Sequence, residues 1–188
     1  MSMRFVAPWW IMSLFNVGVR RLIQRPEPIV GPYIAPGATV LDIGCGPGYF
    51  SLPMAAMVGP AGCVVCADLQ QANLDVVRSR ARAAGLDGRL RTVRSRRREL
   101  GVRSPVDFAL AFYMVHEVPD GEALLRQVAE CLRPQGRLLL VEPIFHVPRA
   151  AFEATLRAAE RAGLRVVAHP RIRFSRAVLL ARDDERPA

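Results

Sequence analysis

The sequence has no lysine. All 26 basic residues are arginine, and with 17 acidic residues the formal charge is +9. Such a balance suits nucleic acid, an anionic membrane or an acidic substrate. It equally suits arginine standing in for lysine on solvated faces, because net charge alone specifies no partner. A long hydrophobic run is also missing. The most apolar stretch, residues 5–19 with Trp9 and Trp10, is too short to span a bilayer and carries Pro8 and Asn16. Arg20 and Arg21 follow it where a small-residue cleavage site would mark a signal peptide. The reading is a cytoplasmic chain without a transmembrane segment.

Cysteine is scarce, at four residues: Cys45, Cys63, Cys66 and Cys131. Cys63 and Cys66 make a CxxC, but within the apolar run CVVCADL, which reads as a buried strand. Strand positions i and i+3 point to opposite faces, so the pair is poorly placed to share a metal. No second Cys or His pair completes a zinc set. The expectation is free thiols in a reducing compartment and no metal.

What is present is an ordinary globular composition, 51% apolar and 23% charged, in 188 residues. That is enough for one domain with a full core. Short apolar runs alternate with helical patterns. Strands are expected over 39–43, 63–69, 90–93, 106–113, 137–142, 164–168 and 177–181. Helices are expected over 49–57, 71–84, 121–132 and 149–162, with Pro134-Gln135-Gly136 as a turn. The alternation predicts an α/β fold with a Rossmann-like, doubly wound, seven-stranded sheet, mostly parallel. The link before the last strand is too short for a parallel crossover, so that strand should be antiparallel. Residues 28–188 would form this domain, and 1–27 an N-terminal lid or cap. The alternatives for the Trp9-Trp10 segment are a membrane-surface anchor and a dimer contact. The chain is expected to be a monomer or a homodimer.

The chemistry concentrates at DIGCGPG, between the first strand and the first helix. In α/β sheets ligands bind there, outside the carboxyl ends of the strands. Gly44, Gly46 and Gly48 let the backbone turn tightly and approach a ligand. The dinucleotide pattern GxGxxG fails, because Tyr49 stands at its last position. Asp42, just before the loop, would repel a pyrophosphate. A ligand with a cationic amino group and no phosphate reverses that sign, and S-adenosylmethionine is such a ligand. Asp68, ending the second strand, can accept hydrogen bonds from ribose hydroxyls.

On these residues the chain resembles the class I S-adenosylmethionine-dependent methyltransferases, notably small members with a generic methyltransferase domain. VLDIGCGPG is similar to their first motif and VVCADL to their second. VDFALAFYMVHEVPD and LRPQGRLLLVEP are similar to later ones. The resemblance runs from Pro28 to Ala181. It implies that Asp42, Gly44, Cys45 (through its backbone), Gly46 and Gly48 line the methionine part of the cofactor. It further implies that Asp68 holds the ribose, that Leu69 packs on the adenine, and that Phe112 and Tyr113 lie near the reacting methyl. Members often carry an acid after the third strand. This chain has Arg94-Ser-Arg-Arg-Arg98 there, with Ser95 as the substitute acceptor.

For the transfer itself, His116 is the candidate base or substrate-orienting group, with Tyr113 beside it; the competing reading of His116 is a structural cap on the turn. Glu117 is expected to bond local backbone N–H groups. Glu142 and His146 could bind a cationic or hydroxylated substrate, but the favoured reading is a loop-fixing carboxylate and an exposed histidine. A small-molecule methyl acceptor is expected. An RNA acceptor on the arginine surface is the weaker alternative, because AFYM stands where amino-methylating nucleic-acid enzymes carry Asn/Asp-Pro-Pro-aromatic. A cofactor-binding protein without catalysis is the third reading.

Overall fold

Five of the seven strands are apolar on both faces, and that dictates the architecture. The computed structural model describes residues 24–183. Its strands are β1 (Thr39–Ile43), β2 (Cys63–Asp68), β3 (Leu90–Arg94), β4 (Val106–Phe112), β5 (Leu132–Pro143), β6 (Leu164–Ala168) and β7 (Ser175–Arg182). They form one sheet in the order β3-β2-β1-β4-β5-β7-β6. Pairings from β3 through β5 are parallel. The last strand, β7, inserts antiparallel between β5 and β6.

Alternation along each strand splits the core in two. Leu41, Val65, Ala109, Leu138 and Leu180 face one side. Val40, Val64, Phe108, Leu139 and Leu179 face the other. Helices α1 (Pro26–Val30), α2 (Ser51–Met57) and α3 (Gln71–Ala83) cover the second face through Val30, Met54, Leu74 and Val77. Helices α4 (Gly121–Cys131) and α5 (Arg149–Arg161) cover the first through Leu125, Val128, Phe152 and Ala159. Cys66 packs in one core, and Cys63 lies against the other, as the strand period requires.

Several bounds shift by a residue or two, and three differences from expectation have a distinct physical cause. The 49–57 helix starts at Ser51, because the glycine turn holds the chain through Phe50. The second strand stops at Asp68, and Leu69 turns outward. Pro134-Gln135-Gly136 is no free turn but a bulge inside β5. Leu132 pairs with Val106 and the next pairing is Arg137 with Phe108, so four residues sit opposite Asp107. Proline offers no N–H to the ladder, and a Cβ on Gly136 would lie 2.9 Å from the Arg133 carbonyl oxygen. Helix α1 was not foreseen. It starts on Pro26, where the missing N–H is harmless, and it straddles the expected 27/28 border. The Trp9-Trp10 segment lies outside the described residues.

Candidate active site

The carboxyl ends of β1, β2 and β4 open into a cavity of about 360 Å³. Its floor is the glycine turn. Gly44, Gly46 and Gly48 have φ of 65°, 53° and 87°, the left-handed region that costs other residues about 1–2 kcal/mol. The turn is tied down by backbone: the N–H groups of Gly44 and Cys45 both donate to the Ala67 carbonyl, at 2.8 and 3.1 Å. Asp68 completes the tie. One oxygen accepts from the Gly46 N–H at 2.9 Å, the other from the Gln70 N–H at 2.8 Å. The Asn73 amide donates to both oxygens at 3.2 Å. Asn73 was missed in the sequence. Its signal was an amide five residues beyond Asp68, one turn into α3.

Of the expected cofactor residues, Gly44, Gly46, Asp68, Leu69, Ser95 and Phe112 line the cavity, and Tyr113 joins them. Asp42, Cys45 and Gly48 do not. The Asp42 carboxylate is buried and accepts from the Ser51 hydroxyl at 2.5 Å, locking β1 to the start of α2. Cys45 is buried, and its thiol is pushed far up, first by a hydrogen bond with Cys66, then by burial and by Asp42, so it stays protonated. Gly48 serves packing: a Cβ there would lie 2.6 Å from Leu52 Cδ1 and 3.1 Å from Val77 Cγ2.

Across the cavity the wall is aromatic. The Phe50 and Phe112 rings lie 4.5 Å apart, and Phe112 and Tyr113 4.4 Å. Tyr113 has φ 60°, a conformation that a bulky residue holds only under constraint. The constraint is visible. Its N–H donates to the Val141 carbonyl at 2.8 Å. Its hydroxyl takes a hydrogen bond from the Gln24 amide and lies 2.6 Å from Ser175 Oγ, which in turn donates to the Arg173 carbonyl. Gln24 and Ser175 were not singled out in the sequence, and they lie 89 and 62 residues from Tyr113.

His116 follows in the short 3-10 turn Val115–Glu117. It does not line the cavity, although its neighbours Met114 and Glu117 do. Its Nδ1 lies 2.5 Å from one oxygen of Glu142, and its backbone N–H donates to the other at 3.0 Å. Glu142, at 1% exposure, is thus the loop-fixing carboxylate. Glu117 is instead exposed. Burial pushes the Glu142 carboxyl above the usual range, partly offset by the charge and hydrogen bonds of His116. An ionised Glu142 can only accept, so His116 Nδ1 is the donor of that bond. The His146 ring sits 5.1 Å from that of His116. His169 is exposed.

Residues 40–136, just over half of the chain, match the family described as a methyltransferase domain. The chain belongs to that family. Among curated relatives, the ubiquinone/menaquinone biosynthesis C-methyltransferase UbiE of Vibrio vulnificus is 31% identical over 146 residues, covering 76% of this chain and 56% of its own. The aklanonic acid methyltransferase DauC of a Streptomyces strain is 32% identical over 135 residues, covering 71% and 58%. The chain therefore spans little more than half the length of these relatives. Among solved structures, a SAM-dependent methyltransferase from Aquifex aeolicus superposes with a TM-score of 0.79 at 21% identity, over 93% of this chain and 98% of its own.

S-adenosylmethionine is the family's methyl donor, and this methyltransferase domain fits it. The Asp68 carboxylate sits at the cavity wall, and each of its oxygens already accepts a loop N–H and the Asn73 amide, so ribose hydroxyls would take the places that the Asn73 amide holds. Ser95 lines the cavity, and its hydroxyl donates to the Leu100 carbonyl at 2.9 Å, which leaves its oxygen the role of acceptor. That is the polarity an exocyclic amino group requires. Gly44 lies under Met114, 3.1 Å from where a Cβ would stand, so a side chain there would close the floor.

Proposed function

We propose that this methyltransferase domain moves the methyl group of S-adenosylmethionine onto a small-molecule acceptor seated at the Tyr113 end of the cavity, next to the turn that carries His116. One observation carries the reading: a single cavity joins the Gly46–Asp68–Ser95 wall to Phe112 and Tyr113. The relatives UbiE and DauC, whose names specify small-molecule acceptors, support the same class.

When bound, the cofactor supplies an electrophilic methyl on a sulfonium. The chain does the rest. Gly44 and Gly46 give close backbone approach, with Cys45, Gly48 and Asp42 holding the loop's base. Asp68 takes the ribose, Leu69 the adenine face and Ser95 the adenine amino group. Phe112 and Tyr113 exclude water and fix the direction of approach. His116 Nε2 takes the proton from an acceptor atom that must lose one, and Glu142 holds the imidazole in that tautomer. Gln24, the first described residue of the expected 1–27 cap, touches Tyr113. The setting is the cytoplasm, as a monomer or homodimer.

Calorimetric titration of the full chain with S-adenosylmethionine tests the core of this. Saturable binding is expected, weakened in Asp68→Ala. No binding at high protein concentration overturns it.

A further inference from the structure

Three of the six large apolar side chains exposed among the described residues crowd one spot: Ile144, Phe145 and Phe174. Two loops carry them, one between β5 and α5, the other between β6 and β7. The loops are joined, since the Ile144 N–H donates to the Phe174 carbonyl at 3.1 Å. The Phe145 and Phe174 rings lie 5.7 Å apart. Phe145 is nevertheless 82% exposed. A ring so exposed protrudes; it meets only what arrives as a surface. Phe174 has φ 58° and, with Tyr113, is one of two non-glycine residues in the left-handed region among the described residues. Strain of this kind persists where surrounding contacts impose it, and it gathers at functional positions.

Charge says what kind of surface arrives. The Arg173 guanidinium stacks 4.9 Å from the Phe174 ring. Arg25, Arg171 and Arg173 line an adjoining cleft of about 270 Å³ whose lining includes no acid. None of the three is in an ion pair among the described residues. Protruding aromatics beside unpaired arginines, on a chain of +9, match the two layers of an anionic bilayer surface: apolar acyl boundary and phosphate headgroups. Among the described residues no helix is long and apolar enough to cross a membrane, so contact here is peripheral.

We propose that the Ile144–Phe145–Phe174 tip and its arginines form a docking surface for anionic lipid membranes. It sits beside the Tyr113–Ser175 end of the cavity, which it would turn toward the bilayer. The reading does not depend on methyl transfer.

Co-sedimentation of the full chain with phosphatidylcholine vesicles, with and without phosphatidylglycerol, tests it. Binding is expected only with phosphatidylglycerol. Phe145→Ser should weaken it roughly ten-fold, from the apolar area no longer buried. Arg171→Glu should weaken it at least about five-fold. Both positions are exposed, so unchanged melting temperatures and cofactor affinity are expected in the same preparations. No binding to anionic vesicles overturns the proposal. So does binding that ignores Phe145→Ser, which would assign it to diffuse charge or to residues 1–23.

Discussion

The two ends of the cavity are built from different material. The glycine end is mostly backbone: three left-handed glycines, two N–H groups on the Ala67 carbonyl, and Asp68 gathering two more. Apart from Ser95, its pieces come from β1, β2 and the turns after them. The proposed acceptor end depends on side chains that meet from far apart: Tyr113, which lines the cavity, is held by Gln24 and Ser175, and the His116–Glu142 pair stands just outside the lining. Backbone geometry suits a ligand that never changes. A side-chain cluster can be rebuilt for a new acceptor without disturbing the donor site.

Mutations should separate the two ends. His116→Ala should cost the most, about 100-fold or more in turnover, with cofactor affinity unchanged in calorimetry. Turnover equal to wild type removes His116 from the chemistry. Asp68→Ala should do the reverse, weakening S-adenosylmethionine by roughly 10- to 100-fold, since a charged acceptor is lost and two loop N–H groups are orphaned. Undiminished affinity would make the glycines sufficient alone.

Within the loop, Gly48→Ala should destabilise by about 2–3 kcal/mol in denaturant melts. It combines a left-handed φ with a Cβ forced against Leu52 and Val77. Gly46→Ala, equally left-handed but open around its Cβ, should cost only about 1 kcal/mol. Equal costs would show that backbone strain, not packing, sets the loop.

The smallest expected effect is on pH. Burial raises the Glu142 carboxyl above its ordinary 4.5. The folded protein then holds that proton more tightly than the unfolded chain. The associated stability is fully present below 4.5 and is lost as pH rises through the raised value. Melting of wild type against Glu142→Gln should reveal that slope in wild type alone. Parallel curves would mean that His116 cancels the burial penalty.

Some of this was legible in the sequence because it is local. The run 39–43 became β1 with the expected bounds, and the strands buried on both faces announced a covered parallel sheet. The glycine turn was legible because its spacing fails one ligand and suits another. The β5 bulge was not, since Pro134-Gln135-Gly136 reads as a turn until Val106 and Phe108 fix where β5 must pair. Nor was α1, whose two prolines speak against a helix unless one opens it.

The sequence by itself determined the donor end, because strand, turn and acid lie within 30 consecutive residues, roughly one βαβ unit. Only the tertiary structure decided the rest. It turned Asp42 toward Ser51 and Cys45 toward Cys66, away from the cavity. It joined His116 to Glu142, 26 residues on, because β4 and β5 are neighbours in the sheet. It brought Ser175 to Tyr113 because β7 returns antiparallel beside β5. Strand order sets those meetings, and strand order follows from how the whole chain buries its apolar faces.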